Sequence, residues 1–121
     1  MGYLNQLSKL AEGVVPALDA AKKKRAGLAR ELVALERAGI LNATPFWNKG
    51  KYLYLSYPMR HYERERAYVG ANQARIAEAL AKIDRFKKHD EISRECAAID
   101  DGFHRAHRAL KAFYCAVDKI K

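Results

Sequence analysis

Apolar residues in the first third of the chain recur at alternating spacings of three and four, the pattern of a helix packed as in a coiled coil. The positions are Leu4, Leu7, Ala11, Val14, Leu18, Ala21, Arg25, Leu28, Leu32 and Leu35, of which only Arg25 is charged. Gly13 and Pro16 lie inside this run, and a proline removes a backbone donor and clashes with the preceding helical turn. We therefore predict a short helix over about residues 3–12 and a longer one over 16–38, with Gly39 as its C-cap.

The pattern then changes to alternation of side chains, which is typical of β-strands. The preceding segment ILNATPFWNKG (40–50) is rich in turn-forming residues and predicts a linker. Two strands are predicted within about residues 51–69, over 51–57 and 63–69, joined by a turn at Pro58–Tyr62. One face of this hairpin holds Tyr52, Tyr54, Arg64, Arg66 and Tyr68, and the other holds Leu53, Leu55, Ala67 and Val69, which we expect to lie on the helices.

Helical spacing returns after the hairpin and continues to the C-terminus. Ile76, Leu80, Ile83 and Phe86 form an apolar stripe that ends at a basic run and predicts a helix over about residues 71–88. Asp90 is a possible N-cap and predicts a break before a final helix over 90–120. Its apolar positions are Ile92, Cys96, Ile99, Phe103, Ala106, Leu110, Phe113, Val117 and Ile120.

These elements predict a mainly α fold, an antiparallel helical bundle or coiled coil with one inserted β-hairpin, in a single domain over residues 1–121. The two long seams can pack against each other within one chain, or each can pack against a partner chain. Because a two-per-seven apolar pattern leaves a narrow core, we also expect a homodimer that completes it.

Charge is concentrated in the middle of the sequence. The chain carries a net charge of +9. Residues 22–88 hold sixteen basic and six acidic residues, a net charge of +10, whereas residues 1–21 sum to −1 and residues 89–121 to zero. A basic segment between balanced ends indicates a polyanionic partner, of which nucleic acid is the commonest. The alternative is a charged face that is simply solvated.

The basic run Lys22-Lys23-Lys24-Arg25 has two interpretations. Four consecutive residues point in all directions around a helix, and Arg25 occupies the apolar seam itself. Either the helix projects here with every side open to phosphate, or Arg25 meets an acid across the seam. Asp100 and Asp101 are the candidates for that acid.

The hairpin provides the sharper indication of nucleic-acid binding. Arginine contacts phosphates or guanine edges, and tyrosine stacks on bases. The alternative is cross-strand packing of Tyr on Arg that only stabilises the ribbon, and Glu63 and Glu65 would repel phosphate if they lay near the contact face. The predicted contacts are Lys22, Lys23, Lys24, Arg25, Lys49, Lys51, Tyr52, Tyr54, Arg60, Arg64, Arg66, Tyr68, Lys87 and Lys88.

Other classes of protein have little support in the sequence. No nucleophile elbow, P-loop or dinucleotide-binding fingerprint occurs, so we expect no enzyme and no cofactor. Cys96 and Cys115 lie too far apart along one helix to ligate a metal together with His104 and His107, so we expect no metal site. No apolar run is long enough for a membrane span and no signal peptide is indicated, so we expect a soluble, cytoplasmic protein.

Three short stretches together resemble a known kind of element. Tyr52-Leu53-Tyr54-Leu55, Arg64 to Gly70 (RERAYVG) and Ile76 to Leu80 (IAEAL) look like the hairpin-plus-helix elements of small phage and mobile-element proteins. They are also similar to the arm-type DNA-binding domains of tyrosine recombinases. Such arm-type domains normally have three strands, whereas the alternation here predicts two. The resemblance implies a mobile-element accessory protein with Arg64, Arg66 and Tyr68 as contacts.

Three functions follow as hypotheses. The first is a non-enzymatic nucleic-acid-binding accessory protein, of phage or mobile-element origin, that contacts DNA or RNA through the basic segment and the hairpin. The second is an inhibitor that binds a bacterial defence or regulatory complex, as anti-CRISPR proteins do. The third is a structural coiled-coil subunit, which needs no functional hairpin.

Overall fold

The chain folds into two long helices with an antiparallel sheet between them in sequence, as a computed structural model of the protein shows. The structure describes residues 2–58 and 65–120. The elements in order are α1 (Gly2–Ala38), β1 (Thr44–Asn48), β2 (Tyr52–Ser56), β3 (Arg66–Gly70) and α2 (Gln73–Asp118). The predicted fold class, mainly α with an inserted β-hairpin, is therefore confirmed.

Helix α1 is continuous, so the predicted division into helices over 3–12 and 16–38 was wrong. Pro16 lies inside the helix, where it costs one backbone hydrogen bond. The three-four spacing keeps its phase across this position, so the packing of the whole apolar stripe favours one helix over two. The predicted C-cap is confirmed, because Gly39 has φ 102° and its N–H donates to the carbonyls of Leu35 and Glu36.

Helix α2 is also continuous, so the predicted break between residues 88 and 90 was wrong. Ile83 and Ile92 are both buried, nine residues or two and a half turns apart, and the helix runs unbroken between them. The basic run before His89 lies in the middle of this helix. The helix starts at Asn72, whose side-chain oxygen accepts a hydrogen bond from the N–H of Arg75 at 3.2 Å.

The sheet has three antiparallel strands in the order β1-β2-β3, one more than the sequence predicted. Residues 44–48 form β1 instead of belonging to a linker. Lys49 and Gly50 both have positive φ, and the N–H of Lys51 donates to the carbonyl of Asn48 at 3.3 Å, so a tight turn folds β1 back onto β2. Pro45 is tolerated because β1 is an edge strand.

The contacts of the chain form two compact units. The first unit comprises residues 1–30 and 94–121, and the second comprises residues 31–93. In the first unit the two helix segments run antiparallel and are joined by an ion pair, Arg25 to Asp100, with Nε and Oδ1 3.0 Å apart. This pairing confirms one of the two interpretations of the basic run.

The core of the second unit lies under the inner face of the sheet. Leu53 is fully buried and packs with Leu55, Ala79 and Ile83, so β2 lies on the first part of α2. Ala67 and Val69 are partly buried against this cluster, as the alternation predicted. With this face on the core, the opposite face of the sheet is left outward.

Further links fasten the second unit. The guanidinium of Arg85 donates to the carbonyl of Gly39 at 2.6 Å, and the N–H of Leu41 donates to the carbonyl of Lys82 at 3.1 Å. These bonds tie the segment that leaves α1 to the side of α2. Neither of the two helices is long and apolar enough to cross a membrane, as far as the described residues go.

Candidate functional site

The outer face of the sheet carries a row of three aromatic rings, one from each strand. In the register of the sheet Phe46 pairs with Tyr54, and Tyr54 pairs with Tyr68. Directly paired residues point to the same face. Since the neighbours Leu53 and Leu55 are buried on the inner face, the alternation of β2 directs Tyr54 and its two partners outward.

The rings of this row contact each other. The centroids of Phe46 and Tyr54 are 5.4 Å apart with an angle of 16° between the ring planes, and those of Tyr54 and Tyr68 are 5.0 Å apart at 51°. Tyr52 lies diagonally from Tyr68, with centroids 6.5 Å apart. Each contact falls in the range of favourable aromatic pairs. The four rings therefore form a joint aromatic surface. We call its three paired rings, Phe46, Tyr54 and Tyr68, the aromatic row.

Cations lie over two of these rings. The guanidinium carbon of Arg66 is 5.5 Å from the centroid of Phe46, although the two residues lie on the two outer strands. Arg66 pairs with Ser56 on β2, and this small side chain leaves room for the guanidinium to reach across the sheet. The ammonium of Lys51 is 5.1 Å from the centroid of Tyr52. Both are cation–π contacts, which hold positive charge against the rings.

A shallow open groove of about 580 Å³ lies along this face. Its lining includes Phe46, Tyr54, Arg66 and Tyr68. Tyr68 is 61% exposed. Trp47 of β1 also borders the groove, but it pairs with the buried Leu53, so its ring is directed to the opposite side of the sheet. A ligand that stacks on flat rings therefore meets open ring surface here and not an enclosed cavity.

The charged residues of the three strands and of the turn after β1 are all basic. The three strands contain no acidic residue, while Arg66 lies in β3 and Lys49 and Lys51 lie in the turn after β1. Glu65 precedes Arg66 in the extended chain, so the alternation directs these two side chains to opposite sides. The repulsion of phosphate that Glu65 could cause is therefore directed away from the aromatic row.

The structure brings together only part of the predicted contact set. Tyr52, Tyr54, Arg66 and Tyr68 share the outer face, and Lys51 contacts it through Tyr52. Lys49 is exposed in the adjoining turn. Predicted contacts Arg60 and Arg64 lie outside the described residues.

The remaining predicted contacts lie elsewhere. Lys87 and Lys88 are exposed on α2, which packs against the inner face of the sheet and not the outer one. Lys22, Lys23 and Lys24 are exposed on α1 and belong to the first compact unit, whereas the sheet belongs to the second. The sheet face is thus a smaller candidate site than the basic segment as a whole.

Arg25 has a structural partner. Its Nε donates to Asp100 Oδ1 at 3.0 Å and its terminal nitrogen donates to Oδ2 at 3.2 Å, a bidentate pair. These hydrogen bonds hold the pKa of Asp100 below its ordinary value of 3.8 and raise the pKa of Arg25. Arg25 therefore links the two helix segments of the first unit.

One residue of the aromatic row, Phe46, lies in the segment that the sequence predicts to be a linker. That prediction depends on the turn-forming residues around it, among them Pro45 and Asn48. The available signal was its position shortly before a tight-turn sequence, Asn48-Lys49-Gly50, which can join it to the alternating residues that follow.

The described cysteines and histidines are not gathered into one cluster with other metal-binding side chains. Cys96 is buried and Cys115 is exposed, and both are free thiols. Within residues 2–58 and 65–120, no group of three or more His, Cys, Asp or Glu side chains is placed to hold a metal ion. The aromatic row with its cations is therefore the candidate site.

Comparison with known proteins gives no indication of function, so the function is inferred from the geometry of the sheet face. The chain matches no protein-family model, no curated protein sequence and no solved structure.

Proposed function

We propose that the chain binds single-stranded nucleic acid on the outer face of its sheet. The observation that carries this proposal is the aromatic row Phe46–Tyr54–Tyr68, one ring per strand, with Arg66 lying over it. Exposed aromatics on a sheet stack unpaired bases, and adjacent cations contact the phosphates between them.

The shape of the face favours an unpaired strand over a duplex. The groove is shallow and open, and Tyr68 exposes most of its surface at the β3 end of the row. Bases inside a duplex are stacked on one another and offer no free face to a ring, whereas bases of a single strand do. The acid-free sheet, with Lys49, Lys51 and Arg66 beside it, suits the phosphates of such a strand.

The direct test is a fluorescence-polarisation titration with labelled oligonucleotides. Single-stranded DNA and RNA of twelve nucleotides and a duplex of the same sequence are titrated with the full chain at several salt concentrations. We expect the single strands to bind more tightly than the duplex, with affinity that falls as salt rises. Equal affinity for duplex and single strand would contradict stacking, and no binding at low salt would refute the proposal.

A matched pair of tyrosine variants locates the binding surface. Tyr68→Ala removes a ring that is 61% exposed on the sheet, and Tyr3→Ala removes one that is 84% exposed on α1 in the other unit. Loss of a stacked base costs about 1–3 kcal/mol, which is a weakening of roughly five- to 150-fold. We expect this loss for Tyr68→Ala and none for Tyr3→Ala, and equal losses would exclude the aromatic row.

A protein partner is the second candidate, and the exposed Tyr68 beside Arg66 favours it. Tyr and Arg are among the residues most enriched at the energetic centres of protein interfaces, and Tyr68 and Arg66 line one groove. An inhibitor with this surface would bind its target protein and no oligonucleotide at low salt. A role as a phage or mobile-element accessory protein stays a prediction of the resemblance alone.

A further inference from the structure

The first compact unit leaves a continuous apolar surface uncovered. No residue of α1 is buried, and in residues 94–120 of α2 only Cys96 is buried. A helix buries its apolar stripe against neighbouring elements, and here each segment has one antiparallel neighbour. The stripes on both segments are therefore wider than the contact between them.

Two adjoining grooves, of about 460 and 320 Å³, follow this surface between the two segments. Val14, Ala109 and Leu110 line both of them, so the grooves are continuous. No charged residue lines either groove. A ligand that fits here is apolar and elongated, as the side of a helix is.

We propose that this apolar groove receives the same groove of a second copy, so that two chains together build a four-helix bundle from their first units. The proposal is independent of the function assigned to the sheet. It concerns only residues of the first unit.

The shape of the groove suits a copy of itself. Small residues such as Ala17, Gly102 and Ala106 alternate along it with bulky ones such as Leu18, Phe103 and Leu110. A two-fold interface requires a patch that is complementary to itself, and a patch with both knobs and holes meets this requirement. Small residues also let a helix of the second copy approach closely.

The exposed area also agrees with a stable dimer. Five large apolar side chains that line the grooves are between 36% and 63% exposed, namely Leu7, Val15, Leu18, Phe113 and Tyr114. At roughly 200 Å² for each full side chain, they expose on the order of 500 Å². A standard interface buries about 800 Å² on each partner, of which about 65% is apolar in homodimers. The grooves of one copy therefore expose about the apolar area that its half of a dimer needs.

The net charge of the first unit allows an experiment to distinguish a second copy from an acidic partner. The first unit has twelve basic and six acidic residues, a net charge of +6, so two copies repel each other through charges outside the groove. Salt screens this repulsion, and we expect dimerisation to strengthen as salt rises. Binding of an acidic protein or a nucleic acid would weaken under the same change.

Analytical ultracentrifugation of the full chain tests the proposal, over protein concentrations from micromolar to millimolar and at low and high salt. We expect a reversible monomer–dimer equilibrium that shifts towards dimer at high salt. A chain that stays monomeric throughout, or a dimer that dissociates as salt rises, would overturn the proposal.

Glutamate substitutions at four alanine positions, two in the groove and two outside it, locate the interface. Ala17→Glu and Ala109→Glu each put a carboxylate into the groove, whereas Ala26→Glu and Ala97→Glu put one on exposed helix positions of the same unit that do not line it. Burying an unpaired carboxylate is costly, so we expect each groove variant to weaken dimerisation on the order of a hundredfold or more. The two controls should dimerise like the natural chain. Dimerisation that survives both groove variants, with helicity by circular dichroism unchanged, would place the interface elsewhere.

Discussion

At the scale of single residues, Leu53 holds the inner face of the sheet to α2. It is the one fully buried large side chain among the described residues, and it packs with Leu55, Ala79 and Ile83. We expect Leu53→Ala to lower the free energy of unfolding by about 2–5 kcal/mol, because it removes buried methyl groups and leaves a cavity. Val33→Ala, at a side chain that is 44% exposed in the same unit, should cost less than about 1 kcal/mol. Urea denaturation of both variants measures the difference, and similar losses would contradict the assigned core.

The ion pair Arg25–Asp100 makes stability depend on pH. The hydrogen bonds from Arg25 lower the pKa of Asp100 in the folded chain below the 3.8 of the unfolded one. A lowered folded pKa stabilises the fold above the unfolded pKa, and this contribution disappears as pH falls through the folded pKa. We expect Asp100→Asn to lower the thermal midpoint slightly at pH 7, because exposed pairs contribute little, and to leave it unchanged near pH 2.

The carboxyl titration of Asp100 checks the cause. Carbon-detected NMR should show the pKa of Asp100 rising towards 3.8 when Arg25 is replaced by Gln. Asp101→Asn is the matched control for stability, since Asp101 pairs with Arg105 on its own helix and not across the helix pair. A pKa of Asp100 that is unaffected by Arg25→Gln would show that the ion pair does not form in solution.

At the scale of elements, the alternation of side chains predicted the two faces of β2 and β3 correctly. Residues that commonly end or begin helices, Pro16 and Asp90, predicted the ends of the helices wrongly. Tyr52, Tyr54, Arg66 and Tyr68 share one face as the period of two requires. Strand β1 was not predicted, because its five residues include a proline and show no alternation of apolar and polar side chains. It is a strand because it pairs with β2, and this pairing is a tertiary contact that local sequence does not indicate. The helices were divided wrongly because Pro16 and Asp90 act locally, whereas an apolar stripe over several turns acts on the whole helix.

Pro16 makes α1 less stable than its length allows. It lies inside the helix without a backbone N–H to donate to the preceding turn. We expect Pro16→Ala to stabilise the chain by up to about 3 kcal/mol, seen as a higher thermal midpoint by circular dichroism. Gly13→Ala, three residues earlier and with no side chain of another residue beyond its two neighbours within 4 Å of the added methyl group, should stabilise by about 1 kcal/mol. A Pro16→Ala variant no more stable than Gly13→Ala would mean that the helix bends at Pro16 without loss.

At the scale of the whole molecule, the positive charge that is concentrated in one segment of the sequence is shared between the two compact units of the fold. Along the chain, the excess lies within residues 22–88. In the fold, residues 31–93 hold eleven basic and eight acidic residues, a net charge of +3, and the other unit holds the remaining +6. The basic segment is therefore divided between the two units. The sequence could not reveal this division, because it depends on the pairing of residues 1–30 with residues 94–121.

The salt dependence of oligonucleotide binding measures how many phosphates the protein's basic residues neutralise. For a single strand, the slope of log affinity against log salt is about −0.7 for each phosphate neutralised. If the described cations Lys49, Lys51 and Arg66 are the contacts, the slope is about −2. Replacing Lys49 and Lys51 by Gln should then reduce its magnitude by about 1.4, while replacing Lys22, Lys23 and Lys24 by Gln should leave it unchanged. A slope that responds to the second set and not to the first would move the binding surface from the sheet to the helix pair.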